Sequence, residues 1–363
     1  MTTVLPRTSR EVRLAAVPQG LPEPSDFTVV ETTLPDPAPG QVLVRNRHFQ
    51  VFGGLRTLLG GAAEGTPVPG LRPGEALFGP AVGEVVAAPP DGPPRPGDLV
   101  THLQGWREYA LVPVAQCALV DSALPDPVAR LSSGSAAYGA LTRLADVGEG
   151  DVVLVTGAAG GVGSLAGQIA RLLGAARVIG STGSPDKAGR LTSELGYDAV
   201  LTGGSWRERR DGSDDRSDDG AAYRAFSAQL ARAAPDGIDV LLDNVGGIQL
   251  TAAVDAARHG ARFALVGALS GQLAAQGTGA TAPTRIDAFR AVVKGMSVRG
   301  YTGVDHPDVE AEWTGRFGGW LRTGEIRLPL TRFEGIARAP QALWELTRGQ
   351  TFGTVVVDLP GDD

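Results

Sequence analysis

A continuous apolar run from Val152 to Val155 gives way to glycines at 157, 160 and 163. Leu165, Ala166, Ile169, Ala170 and Leu173 then recur with helical spacing. The pattern predicts strand, tight turn and helix, and Arg177 to Ser181 supplies a second strand where a βαβ unit needs one. Upstream, Ser135 to Ala145 has helical spacing. Downstream the alternation continues: Leu191 to Leu195 as helix, Ala199 to Leu201 as strand, Phe226 to Ala233 as helix, and Ile238 to Leu242 as strand. A helix near Leu250 to Ala257 and a strand from Arg262 to Val266 close the series. This is the signature of an α/β, doubly wound parallel sheet, expected over residues 134–323, with ligands at the carboxyl ends of its strands.

Before Gly134 the pattern differs. Nineteen of the 26 prolines fall between Pro6 and Pro127 and cut that stretch into short pieces. Gln41 to Arg47, Glu84 to Ala88 and Leu99 to His102 read as strands between turns such as Pro37-Ala38-Pro39-Gly40 and Pro94-Arg95-Pro96-Gly97. An irregular β domain is therefore expected first. A helix at Gln341 to Thr347 and a strand at Thr354 to Leu359 end the chain, and that strand is expected to return to the first domain. Residues 203–220 carry one aromatic and otherwise little to bury, which predicts a mobile surface loop. Small residues from Gly271 to Ala282 follow a strand end and could cover a ligand.

The glycine turn points to chemistry. Glycines there let backbone N–H groups approach a pyrophosphate, to which the following helix N-terminus adds partial positive charge. The strand and helix on either side are the context such a motif requires. An NAD site places an acid at the tip of the second strand, on the ribose hydroxyls. Here that tip reads Gly180-Ser181-Thr182-Gly183, which admits a 2′-phosphate. Ser184 and Pro185 look like the N-cap and first residue of the next helix, and Lys187 can reach back as a phosphate cation. NADP(H) is therefore expected rather than NAD(H). Arg207, Arg209 or Arg210 is an alternative phosphate partner.

Composition narrows the classes. A net charge of −7 leaves no basic footprint for nucleic acid, and no run of about 20 apolar residues could span a bilayer. Cys117 is the single cysteine, so neither an internal disulfide nor a thiolate-rich zinc site is expected. The opening MTTVLPRTSREVRL lacks the cationic and apolar regions of a secretory signal, and a cytoplasmic location is expected.

GWREYA from Gly105, VTGAAGGVGSLAGQIARLLG, PDGIDVLLDNVGG and LVGALSG occur in that order, and Thr8-Ser9-Arg10-Glu11-Val12 precedes LPDPAPGQVLVRN. In these stretches the chain resembles the zinc-independent medium-chain dehydrogenase/reductases, in the leukotriene B4 dehydrogenase and prostaglandin reductase branch. Quinone oxidoreductases are more distant kin. The resemblance implies a GroES-like catalytic domain from residues 1–133 and 324–363, a Rossmann NADP(H)-binding domain from 134–323, and a substrate cleft. It implies hydride transfer from NADPH to the β-carbon of a conjugated carbonyl, without zinc, by an enzyme that is commonly a homodimer.

Carried over by position, Gly157, Gly160, Gly161, Val162 and Gly163 form the pyrophosphate turn. Gly183, Ser184 and Lys187 then meet the adenosine end, Asn244 the ribose, and Val266, Gly267, Ala268 and Leu269 the nicotinamide. Tyr138 sits where the family has an aromatic residue in the cleft floor, and a core tyrosine is the alternative.

The departures lie on the substrate side. Phe52-Gly53-Gly54-Leu55-Arg56 replaces a segment that often reads Asp-Pro-Tyr-Met-Arg, which removes bulk and a hydroxyl. Gln272 stands where many members have tyrosine, Gly203 replaces a phosphate-binding tyrosine, and Thr351 and Thr354 replace an asparagine and a lysine. Tyr138 and Gln272 are thus the catalytic candidates, and Phe52, Gly53, Gly54, His48 and Tyr138 the pocket candidates. His48 and His102 lack metal-spaced partners, His259 is expected at a helix end, and His306 in a polar turn. The leading expectation is an NADPH-dependent enone reductase with room for a bulky substrate such as a polyketide intermediate. The alternatives are a quinone oxidoreductase and a non-enzymatic NADPH-binding protein.

Overall fold

The computed structural model describes residues 5–60, 70–120, 122–203, 217–274 and 279–361. Two units emerge: Met1–Ser132 with Leu330–Asp363, and Ser133–Pro329.

The second unit is built on a six-stranded sheet ordered Ala199–Thr202, Arg177–Thr182, Val152–Val155, Ile238–Asp243, Ala257–Leu265 and Ser297–Gly300. Every neighbouring pair is parallel. The winding reverses between Val152–Val155 and Ile238–Asp243, so a ligand crevice belongs above the carboxyl ends of those two strands. Val153, Leu154 and Val155 are wholly buried, as continuous apolar strands covered on both faces must be. The helix Gly163–Leu172 buries eight successive residues from Gly163 to Ala170. Ser217–Ala233 buries Phe226 and Leu230 completely, each worth about 2 kcal/mol.

Several expectations shift here. The helical stretch from Ser135 splits into an α-helix, Gly134–Gly139, and a π turn, Ala140–Leu144, in which the Ala145 N–H reaches back five residues to the Ala140 carbonyl. The loop expected over 203–220 ends sooner, because helix begins at Ser217; residues 204–216, with Arg207, Arg209 and Arg210, lie outside the described residues. His259 is not at a helix end. The helix Gly247–Ala256 stops before it, and His259 lies on the strand Ala257–Leu265. The cation at that helix terminus is Lys294, whose Nζ donates to the carbonyls of Val254 and Asp255 at 3.0 and 2.8 Å.

In the first unit Gln41–Val51 is the central strand. It pairs antiparallel with Ala81–Ala87 on one side. On the other it pairs with Tyr109–Pro113 along its first half and with Thr354–Asp358 along its second. The expected strand ended at Arg47; the last four residues are held by the C-terminal strand, which local pattern does not show. Leu330–Glu334 completes that edge, parallel to Thr354–Asp358. Residues 324–329 stay with the other unit, because Ile326 is buried and the Arg327 peptide exchanges two hydrogen bonds with the Gln168 side chain. The GWREYA stretch forms a corner of this unit. Trp106 is fully buried at φ 64°, its ring 5.4 Å from Phe49, and Glu108 pairs with Arg10.

Candidate functional site

The glycine turn follows directly from Val152–Val155. Gly157 has φ +60°, a conformation that favours glycine, and its N–H donates to Ser181 Oγ at 3.2 Å. A Cβ on Gly163 would stand 2.5 Å from the Gly157 carbonyl oxygen, so the turn closes onto its helix only with glycine there. Gly160 is exposed, and the N–H groups of Gly161 and Val162 have no acceptor among the described residues. Unused donors at the start of a ten-residue helix fit an anionic pyrophosphate.

Next to this turn the strand Arg177–Thr182 ends on Thr182 and Gly183 with no carboxylate. Ser184 caps the helix Pro185–Leu195, its side chain accepting from the Lys187 N–H at 3.5 Å, with Pro185 at the first position. Lys187 is therefore in the first turn, half-buried, one turn from the glycine-ended strand tip.

On the other side of the reversal point, Asp243 is 1% exposed. Its carboxylate accepts from Thr156 Oγ1 and from the N–H groups of Val245 and Gly246. Burial pushes its pKa up against those three donors. Asn244 Nδ2 donates to the Thr156 carbonyl at 2.8 Å, which fixes the amide. The segment from Val266 is stitched onto these residues: Val266 and Gly267 N–H donate to the Asp243 carbonyl, and Leu269 N–H to that of Asn244. A Cβ on Gly267 would lie 2.8 Å from the Asn244 carbonyl oxygen.

A cavity of about 240 Å³ opens beyond Val266, lined by Ser135, Ala136, Tyr301, His306 and Glu310 among others. It lies past the ends of Ala257–Leu265 and Ser297–Gly300, the half of the sheet where the second nucleotide of a dinucleotide belongs. Tyr301 and His306 stack at 5.4 Å with planes 4° apart. His306 does lie in the expected polar turn, after Gly303–Asp305, but neither it nor Tyr301 carries a motif that would mark the stacked pair as a cavity wall.

Tyr138 sits on the same helix as Ser135 and Ala136 but does not line the cavity. It is 1% exposed, its hydroxyl donates to Glu312, and Trp313 and Trp320 flank its ring at 5.8 and 6.4 Å. Burial, then the Glu312 carboxylate, push its pKa up to about 12. Gln272 ends the short helix Leu269–Gln272, half-buried, on the segment that continues from Val266. Residues 275–278 of the Gly271 to Ala282 stretch lie outside the described residues; around them the chain folds on itself, since a Cβ on Gly271 would meet the Thr281 carbonyl at 1.9 Å.

In the first unit, Phe52 is half-buried and its ring lies 3.4 Å from the Cβ position of Gly54. Gly54 has φ −61°, so its backbone does not require glycine. What the glycine removes is bulk beside Phe52. Gly53 opens the turn into the buried helix Leu55–Leu59, its carbonyl accepting from the Arg56 N–H. His48 is held elsewhere: Nδ1 bonds Asp358 Oδ1 at 2.6 Å, and Arg332 grips the same carboxylate at 2.8 and 2.9 Å. His102 is buried, with Nδ1 accepting from the Gln104 N–H. Among the described residues no group of three or more histidine, cysteine or acidic side chains could hold a metal ion.

A family profile described as the N-terminal domain of oxidoreductases matches residues 10–120, and one described as zinc-binding dehydrogenase matches 161–315. A Bacillus subtilis protein named as an NADP-dependent oxidoreductase, YfmJ, is 30% identical over 355 residues, covering 96% of this chain and 97% of that protein. The NADPH-dependent curcumin reductase of Escherichia coli is 29% identical over 358 residues, covering 96% of each. Among solved structures, CurA from Vibrio vulnificus in complex with NADPH superposes with a TM-score of 0.81 at 25% identity, over 97% of this chain and 100% of that one.

Proposed function

The chain belongs to the zinc-independent medium-chain dehydrogenase/reductases, in their enoyl reductase branch, and from that premise we propose that it reduces a conjugated carbon–carbon double bond with NADPH. The observation that carries the reading is the end-to-end likeness to reductases named for NADPH and conjugated carbonyls, on a chain whose own residues complete a dinucleotide frame.

Gly161 and Val162 N–H groups would hold the pyrophosphate, and Ser184 and Lys187 the 2′-phosphate end. Asn244 keeps its Oδ1 for a ribose hydroxyl, since Nδ2 is spent on Thr156. Val266 to Leu269 and the cavity beyond them would take the nicotinamide. When bound, NADPH would supply a hydride for the β-carbon, negative charge would grow on the substrate carbonyl oxygen, and a proton from solvent or a ribose hydroxyl would complete the α-carbon. That oxygen needs a donor. The Gln272 amide is the donor we assign; the Tyr138 hydroxyl, already given to Glu312, serves packing in this reading. Gly53 and Gly54 beside Phe52 suit a bulky enone of the polyketide type.

No helix among the described residues is long and apolar enough to cross a membrane. A homodimer fits the edge strand Ser297–Gly300, which has no further strand beside it among the described residues, and the exposed Phe289, Val292 and Val293 of the helix that precedes it.

The test is NADPH oxidation, in parallel with NADH, against small enals, polycyclic enones and quinones, with product mass. A gain of two hydrogens on a bulky enone is expected. Turnover of quinones alone, or NADPH binding with no turnover of any enone, would overturn the assignment.

A further inference from the structure

Tyr197 belongs to none of the expected site motifs and lies between the helix Pro185–Leu195 and the strand Ala199–Thr202. Its side chain nevertheless reaches the glycine turn. The hydroxyl donates to the Gly163 carbonyl at 2.6 Å. Tyr197 is 3% exposed, and the surroundings are cut to its shape. A Cβ on Gly167 would fall 2.3 Å from the ring, and one on Gly180 would fall 2.9 Å from it. Two glycines, one on the turn's helix and one on the neighbouring strand, leave the space that the phenol occupies.

Burial drives the Tyr197 pKa well up, so the hydroxyl stays a donor at every physiological pH. Gly163 begins the helix, next to the open N–H groups of Gly161 and Val162. A bond to its carbonyl anchors the first peptide of the helix, from which the Gly161 and Val162 peptides lead back into the turn. Apolar packing alone would not, because a phenyl ring fills the same space without gripping the peptide.

We propose that Tyr197 is a positioning residue for cofactor binding, holding the pyrophosphate-binding turn in its binding geometry through the Gly163 carbonyl. The inference rests on the NADPH reading above. It concerns the part common to NADPH and NADH, so it predicts an equal effect on both.

The experiment is Tyr197→Phe, with dissociation constants for NADPH and NADH measured by calorimetry, and amide exchange across residues 160–167 in the cofactor-free protein. Both constants should weaken about threefold to tenfold with their ratio unchanged, the scale of one net hydrogen bond. Exchange in that stretch should quicken while the sheet strands stay protected, and kcat at saturating NADPH should hold. Unchanged constants with only a lower Tm would overturn the inference and leave Tyr197 a core residue. So would a loss confined to one cofactor, or a phenylalanine variant that does not fold. Wild-type protein that binds neither cofactor would instead remove the proposed function, and this inference with it.

Discussion

Thr156 Oγ1 donates to Asp243 Oδ1 across 2.5 Å, joining the ends of two strands that lie 87 residues apart in the chain. The same hydroxyl oxygen accepts from the Asn244 N–H at 2.9 Å. One threonine thus ties the start of the glycine turn to the DNVGG segment, and the reversal point of the sheet becomes a rigid seat rather than two free loops.

Asp243→Ala should therefore be costly. It would strand the Thr156 hydroxyl and the N–H groups of Val245 and Gly246 in the interior, for a loss of about 3 kcal/mol in urea unfolding. Asp243→Asn keeps one acceptor oxygen and should lose clearly less. Equal losses would show that packing, and not the acceptors, is what Asp243 contributes.

Glycines in the turn should separate by role. In Gly163→Ala the new methyl meets the Gly157 carbonyl oxygen at 2.5 Å, so the turn must open, and NADPH affinity should fall at least tenfold by fluorescence titration. At Gly160 the nearest contact would be 3.5 Å, and Gly160→Ala should fold with unchanged Tm. A Gly160 variant as damaged as the Gly163 variant would contradict this geometry.

The cofactor half of the fold was legible because strand, turn and cap signals are local. Ser184 caps and Pro185 opens their helix as the sequence suggests, and the helix after the glycine turn begins at Gly163. The shapes that depend on distant chain were not legible. Gln41–Val51 outruns its local pattern because Thr354–Asp358 pairs with it, and Tyr197 touches Gly163 across 34 residues without a periodic signal. GWREYA stands out in sequence through a left-handed Trp106 and a packed core, so its prominence marks a structural corner.

His102 should make stability fall with acid. Burial first, then Arg107, lower its pKa from 6.5 to about 4. The unfolded chain then binds a proton that the folded one refuses between those values. Stability is fully present above pH 6.5 and declines as pH falls toward 4, by about 3 kcal/mol over the window. Glu84 and Asp358, whose pKa values are lowered, lose their contributions further down. Tm against pH should show the upper decline in the wild type and a shallower one in His102→Gln. Parallel curves would assign the decline to other groups.

Cofactor choice should turn on the strand tip rather than on the turn. Gly183 is not among the glycines with positive φ, so its backbone does not itself require glycine, and Gly183→Asp is the direct test. The new carboxylate would accept from ribose hydroxyls and repel a 2′-phosphate, and the NADPH-to-NADH ratio of kcat/KM should drop at least tenfold. Lys187→Ala should weaken NADPH binding and leave NADH binding as it was, because the role proposed for this lysine, in the first turn beside Ser184, is toward the extra phosphate alone. The pair of variants separates two causes, admission by a missing acid and attraction by a cation. If Lys187→Ala lowers affinity for both cofactors alike, the lysine is supporting the helix start, and the preference for NADPH rests on the absent carboxylate alone.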